Sequence, residues 1–362
     1  MTVTDPIDML APQKLEQAHA LPAPFYTDAD MAALEAKAVF SNSWQLVCHQ
    51  SRLAGVGDHV VTQIGELPII VLRSDATTLR AFHNVCRHRA GPLARCDGLA
   101  AKSLRCKYHG WTYGLDGVLR SAPEMSGAAD FDPGQISLPE VRVETWQGLV
   151  FLAVGTVPPF ENFIAGIAQR LGPANDMSGY HFHHHSSYEV DCNWKVYVDN
   201  YLEGYHVPHI HPALNRLLDY RSYVTQTAEW YSFQFSPLES APDLYGSGEA
   251  LYYFLYPNAM LNILPGRLQT NRVLPLAVNR CRVEFDFYYA ADERDDAQSR
   301  RTRDIEFSDE VQLEDVTICQ EVQRGLASGS YHAGRLNPLR ENAVHHFHEL
   351  LRRAYRDALD PA

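Results

Sequence analysis

One stretch of this 362-residue sequence is dense in groups that bind metals: Asp199-Asn200-Tyr201-Leu202-Glu203-Gly204-Tyr205-His206-Val207-Pro208-His209-Ile210-His211-Pro212. Imidazoles and carboxylates lose hydration on burial unless something pairs with them. A metal ion is such a partner. Two histidines and a distant carboxylate make the facial triad that holds Fe(II) and leaves positions open for dioxygen. His206 and His211 are the expected imidazole ligands. Five residues apart on an ideal helix, they would point about 140° away from each other. Pro208 and Pro212 are expected to kink or break that helix and let the rings converge. Glu203 is expected beside His206 on the same helix, three residues earlier. His209 reads more simply as a satisfied histidine near the site.

A third ligand is expected on a late helix from about residue 308 to 326. There Val311, Asp315, Cys319, Val322 and Leu326 recur at helical spacing. Asp315 falls in this apolar stripe, where a metal would neutralise it; Glu314 is less well placed. The plainer alternative for Asp315 is a salt bridge or a solvent edge.

A second constellation lies earlier. Cys86-Arg87-His88 is followed, after seventeen intervening residues, by Cys106-Lys107-Tyr108-His109-Gly110-Trp111. A zinc finger groups its cysteines and its histidines. One of each in two separate loops suits a [2Fe-2S] centre with two cysteines on one iron and two histidines on the other. A zinc knuckle, or unligated thiols in a strand-rich core, is the alternative. Gly91-Pro92 and Gly110 fit loops whose backbone approaches a cluster closely. Cys48 and Cys96 fall outside the pattern and read as buried small hydrophobes. For His181, His183, His184 and His185, alternation at a polar strand edge is a better account than another metal.

The elements that must position these groups differ along the chain. Residues 1–43 read as an arm, with Thr27-Asp28 capping a short helix. Residues 44–155 are short apolar runs broken by glycine, an all-β domain, with Gly114-Leu115-Asp116-Gly117 as a hairpin turn. Pro158-Pro159 marks a boundary. Residues 156–362 mix strands and helices: Trp230 to Phe235 alternates like a half-buried strand. The charged run from Asp292 to Arg303 reads as a solvated loop or helix start. The fold class is α+β.

Bulk properties narrow the function. A net charge of -13 with thinly spread Lys and Arg argues against nucleic acid, and suits a basic docking patch on a partner. The absence of a long apolar run or a leader pattern suggests no membrane span and no signal peptide. Seven unevenly spaced cysteines fit a reducing cytoplasm with some thiols on metal.

The two constellations, in this order, resemble the large (α) subunit of Rieske non-haem iron oxygenases. Asn193-Trp194-Lys195 and the Asp315 helix continue the likeness over nearly the whole chain. The resemblance implies a Rieske [2Fe-2S] domain with Cys86, His88, Cys106 and His109 on the cluster. It implies a helix-grip catalytic domain, a curved antiparallel sheet over a long helix, with His206, His211 and Asp315 on a mononuclear Fe(II). It implies a homo-oligomer, usually a trimer, in which one subunit's cluster serves the next subunit's iron. Electrons would come from NAD(P)H through a separate flavin or iron-sulfur reductase, since no dinucleotide fingerprint is present here. Most members carry an aspartate as the inter-subunit bridge before the first iron histidine. Glu203 stands there in this chain, with Asp199 and Asn200 in the same catalytic stretch. Similar glutamates occur in oxygenases of quaternary ammonium compounds, such as carnitine monooxygenase and stachydrine demethylase, and residues 198–208 are similar to plant choline monooxygenase.

The expected reaction is O2-dependent hydroxylation or N-demethylation of a small quaternary ammonium or betaine. The alternatives are hydroxylation of an aromatic ring or aromatic carboxylate, a Rieske electron carrier without oxygenase activity, and a zinc-stabilised binder of hydrophobic ligands. A cationic substrate wants aromatic faces. Tyr201, Tyr205, Trp230, Tyr252, Phe254 and Tyr256 are candidates, with ordinary core packing as the plainer account. Arg267 or Asn262 could meet a substrate carboxylate.

Overall fold

The computed structural model describes residues 8–172, 176–218, 220–238 and 249–359; parts of the expected arm and catalytic domain lie outside these. The chain divides into two compact units. One is Phe40–Phe160; the other joins Met1–Val39 to Glu161–Ala362.

The Phe40–Phe160 unit is built from antiparallel strands. Its larger sheet has the order Gln45–His49, Leu149–Ala153, Glu140–Trp146, Leu79–His83, Leu67–Arg73 and His59–Ile64. Ile69 to Leu72 and Leu149 to Ala153 are buried at every position, as continuous apolar runs of strand length should be. A smaller sheet joins Leu104–Arg105, Thr112–Tyr113 and Leu119–Ser121. Gly117, in the turn between the last two, has φ +83°, and a Cβ there would lie 2.5 Å from the Phe82 ring. Only glycine satisfies both conditions. Cys96 corrects an expectation: it is exposed, not buried. It lies in a surface loop beside Asp97, which pairs with Arg52 at 2.5 Å.

The other unit carries a seven-stranded antiparallel sheet. Its order is His181–Val190, Arg280–Tyr289, Arg267–Ala277, Ala259–Leu264, Glu249–Leu255, Tyr231–Pro237 and Val224–Thr227. Three helices matter for the site: Trp194–Tyr201, Ala297–Ala327 and Asn342–Leu359. The first starts cleanly because the Asn193 side chain accepts the Lys195 N–H at 3.0 Å, a side-chain N-cap. Strand Tyr231–Pro237 does not alternate: Ser232, Phe233 and Gln234 are all buried, so both faces are covered there.

The late helix differs most from expectation. It begins at Ala297, so the charged run ending at Arg303 is largely helical. Its inner face is not the apolar stripe the spacing suggested, for Val322 is 44% exposed. Polar groups with dedicated partners are buried instead. Asp304 accepts from Arg267 Nε at 2.7 Å and Tyr289 Oη at 2.6 Å. Gln312 accepts from Tyr197 Oη at 2.5 Å, and Gln323 from the Asn193 N–H at 2.8 Å. Buried polar groups are tolerated when paired in this way.

The arm helix Ala29–Glu35 is capped by Asp28, whose carboxylate accepts the Asp30 N–H at 2.9 Å. Its last residue, Glu35, is buried at 2% exposure. One of its oxygens takes Lys195 Nζ at 2.6 Å and Tyr355 Oη at 2.7 Å. The other takes Trp194 Nε1 at 2.7 Å. One carboxylate thus joins the arm to the first and last of the three helices. Among the described residues, no helix is long and apolar enough to cross a membrane.

Candidate metal centres and substrate cavity

The chain from Glu203 to Leu217 is not one kinked helix. The helix carrying Asn200 ends at Tyr201, and Glu203 lies beyond it, which corrects the expectation that Glu203 and His206 share a helix. Two short helices follow, Val207–Ile210 and Pro212–Leu217, each with proline in its first turn. Proline is tolerated there because that N–H has no intrahelical partner. The Glu203 carboxylate turns back on the chain, accepting the N–H groups of Tyr205 and His206. Gly204 packs so closely on Tyr223 that a Cβ would lie 2.7 Å from its ring.

These breaks bring the imidazoles together. The rings of His206 and His211 are 5.1 Å apart, at 74° to each other. His206 Nδ1 meets Glu203 Oε1 at 2.6 Å, and His211 Nδ1 meets Glu314 Oε2 at 2.6 Å. Both Nε2 atoms face Asp315 Oδ1, at 3.9 Å and 3.0 Å. One ligand atom from each of the three residues lies within 4.8 Å of the others. A carboxylate on Nδ1–H fixes the tautomer and leaves the Nε2 lone pair for a metal. Two such lone pairs and a carboxylate aimed at one point suit a divalent cation. Without the ion, burial disfavours a charged His211, yet Asp315 and Glu314 outweigh it and raise its pKa above the ordinary 6.5. Protons then compete with metal at the lower end of the neutral range.

The other expected residues divide. Asn200 Nδ2 donates to Asp315 Oδ1 at 2.6 Å, orienting that carboxylate. Asp199, one residue earlier and so about 100° around the helix, turns away from the triad. It accepts from Tyr26 Oη at 2.6 Å and meets His348 Nε2 at 2.9 Å. His209 is outside the convergent group. Glu314, judged the poorer position from spacing, holds His211. Its place beside Asp315 was the available signal.

A cavity of about 140 Å³ lies over His206, His211 and Asp315. Of the six candidate aromatics, Tyr201 and Tyr252 line it. Tyr205 is 47% exposed, Phe254 and Tyr256 pack against Phe347, and Trp230 takes the Arg353 guanidinium on its face. Tyr223, Phe285 and Phe307 also line the cavity and were not anticipated. Asn262 and Arg267 line it too. In the histidine-rich strand, His185 pairs with Asp286 at 2.7 Å, and no convergent ligand group forms there among the described residues.

The earlier constellation forms two matched loops. Cys86 N–H donates to Gly91 O at 2.9 Å and Ala90 N–H to Cys86 O at 3.0 Å. Cys106 N–H donates to Trp111 O at 2.9 Å and Gly110 N–H to Cys106 O at 3.0 Å. Cys86 and Cys106 are buried while His88 and His109 are exposed, with ring centroids 4.6 Å apart. A Cβ on Gly91 would lie 2.9 Å from Cys106 Sγ, so glycine keeps a cradle open between the loops. This donor set, thiolates inside and imidazoles outside, fits a cluster with a cysteine-bound and a histidine-bound iron. Tyr113 Oη accepts the Arg87 N–H at 3.0 Å and lies 3.3 Å from Cys86 Sγ, where it can donate its proton to a thiolate that ligates a cluster. Burial, then the bond to Cys86, keeps that phenol well above its ordinary range. Hydrogen bonds to sulfur stabilise the reduced cluster. Tyr113→Phe is therefore expected to lower the cluster potential by roughly 20–60 mV, the one-electron equivalent of one such bond. Redox titration followed by EPR checks this.

These are the parts of a protein that delivers electrons from an iron–sulfur cluster to an oxygen-activating iron. Comparison with known families agrees. Residues 43–141 match the Rieske [2Fe-2S] domain, and residues 177–357 match the ring hydroxylating alpha subunit catalytic domain. The chloroplastic choline monooxygenase of Arabidopsis thaliana is 38% identical over 354 residues, covering 93% of this chain and 83% of that one. The carnitine monooxygenase oxygenase subunit of Escherichia coli K12 is 31% identical over 359 residues, covering 94% and 95%. The structure of the quaternary ammonium Rieske monooxygenase CntA with L-carnitine superposes with a TM-score of 0.85 at 27% identity, covering 97% and 99%. The chain belongs to the Rieske ring-hydroxylating oxygenase alpha subunits. It is a Rieske non-haem iron oxygenase, with a [2Fe-2S] cluster, a mononuclear iron, O2 as co-substrate and NAD(P)H electrons arriving through a reductase.

Proposed function

We propose that this oxygenase hydroxylates or N-demethylates a small quaternary ammonium compound. His206, His211 and Asp315 would hold the mononuclear iron, and Cys86, His88, Cys106 and His109 the cluster. The observation that carries the reading is the cavity itself: the three converging ligands open onto a space lined by Tyr201, Tyr223, Tyr252, Phe285 and Phe307. Aromatic faces attract a desolvated cation. When bound, the iron supplies dioxygen activation with electrons from the cluster: one oxygen atom enters a substrate C–H bond, the other leaves as water.

The residues of this chain position that chemistry. Glu203 and Glu314 hold the two histidines with Nε2 inward, and Asn200 steadies Asp315. Tyr201 donates to Asn262 Oδ1 at 2.7 Å, which keeps its ring at the cavity wall. We also propose a homotrimer working in a reducing cytoplasm, with electrons passing from one subunit's cluster to the next subunit's iron through Glu203. Two features support the assembly. The exposed histidines could face a neighbour. Residues 86–109 carry six basic side chains and one acid in a chain of net charge -13, so this segment is opposite in sign to the chain as a whole and suits an acidic neighbour.

Choline, glycine betaine, carnitine, stachydrine and benzoate, tested with a reductase and NADH, check the substrate class by product mass and formaldehyde release. Turnover of benzoate and of none of the four ammonium compounds would overturn it. Glu203→Gln is expected to keep the iron but to slow single-turnover product formation by about tenfold or more. An unchanged rate removes Glu203 from the route.

A further inference from the structure

Resting on the quaternary-ammonium reading, we infer that Asn271 and Gln312 receive the substrate's second polar group, and that this group is a hydroxyl rather than a carboxylate. Both residues line the cavity. They are 2% and 1% exposed, yet Asn271 Oδ1 and Gln312 Nε2 have no hydrogen-bond partner among the described residues. A buried polar atom left unpaired is costly, and a ligand group that pairs with it recovers that cost as affinity. The two atoms differ in kind. One accepts and the other donates. A hydroxyl can do both at once, whereas a carboxylate only accepts and would set its charge against the Asn271 carbonyl oxygen.

The rest of the lining points the same way. Among the described residues, Arg267 is the sole lysine or arginine in it. Its Nε donates to Asp304 Oδ2 at 2.7 Å and its Nη2 to Gln269 Oε1 at 2.5 Å. Asp304 neutralises that guanidinium, so the lining offers a substrate carboxylate no uncompensated cation. Glu203 and Asp315, also in the lining, favour a cationic ligand. Location agrees as well. Gln312 sits three residues before Asp315, on the same side of the late helix. Asn271 is paired directly with Phe285 on the neighbouring strand, and Phe285 is one of the aromatic faces available to the ammonium. Ammonium and hydroxyl can then be held together close to the triad.

Calorimetric titration of the full-length, iron-loaded protein without oxygen tests this. The ligands are choline, glycine betaine, tetramethylammonium and propyltrimethylammonium, the last replacing the choline hydroxyl by a methyl group. Choline is expected to bind about tenfold or more tightly than propyltrimethylammonium, with glycine betaine weaker than choline. Gln312→Met and Asn271→Leu are each expected to close the gap by weakening choline. Equal binding of choline and propyltrimethylammonium to the unaltered protein, or glycine betaine binding as tightly as choline, would overturn the assignment and leave the ammonium reading intact. If none of the four binds, the assignment fails, and if carnitine and stachydrine do not bind either, the ammonium reading fails with it.

Discussion

Asp315→Ala protein is expected to purify with about two irons per chain instead of about three, and to form no product above background. Asp315 is the point on which the triad converges. Its Oδ1 faces both Nε2 atoms and accepts from Asn200. Removing it would leave two imidazole ligands and no charged one, a set that holds a ferrous ion weakly. Loss of an outer-shell partner alone typically costs 10–100-fold in metal affinity or activity, so loss of the carboxylate itself should exceed about 100-fold. Glu314→Gln supplies the graded comparison. It keeps an acceptor near His211 Nδ1 but gives up the charge, and should fall inside the 10–100-fold range. Iron analysis and turnover give the result, and the EPR signal of the reduced cluster serves as control. The Cys86 and Cys106 loops belong to the Phe40–Phe160 unit, so that signal should persist in both variants. A full iron complement with normal turnover in Asp315→Ala would place the metal elsewhere.

The largest stability effect is expected at Glu35, far from the metal ligands in sequence. Glu35→Ala should destabilise the protein by about 3–5 kcal/mol, the usual result of stripping one partner from a buried ion pair. Lys195 is fully buried, and burial already holds its pKa below the ordinary lysine range despite the pull of Glu35. Without Glu35 its ammonium loses its main stabilising charge. Trp194 Nε1 and Tyr355 Oη lose an acceptor in the same step. The damage should also reach the site, because the helix that starts at Trp194 carries Asn200 to Asp315. Urea unfolding measures the first effect and iron retention the second. A midpoint unchanged from the parent protein would mean that the pair contributes no net stability.

How much of this was readable beforehand depends on the range of each interaction. The Cys86–His88 and Cys106–His109 spacings are local signals, and the structure brings those residues into facing loops. His206, His211 and Asp315 were legible because ligand-rich residues stand out against their surroundings, and they converge. The cavity wall was far less legible. Aromatic residues crowd strands Glu249–Leu255 and Arg280–Tyr289, and only tertiary packing decides that Tyr252 faces the cavity while Phe254 packs on Phe347. Gln312 and Asp304 were hidden for another reason. A helix whose buried face is polar shows no clean apolar period, and the partners that make burial tolerable, Tyr197 and Arg267, lie far away in sequence. The period-two run Arg267, Gln269, Asn271 was a clue to a polar strand face that went unused.

The triad draws its side chains from two places, the turn around His206 and His211 and a helix position more than a hundred residues later. A polypeptide emerging during synthesis contains all three only once residue 315 has been added, and brings them together only once the late helix has docked. A chain that ends before Asp315 would therefore lack one ligand of the proposed iron site. Metal loading at such a site would follow folding, since distant ligands converge only in the folded chain.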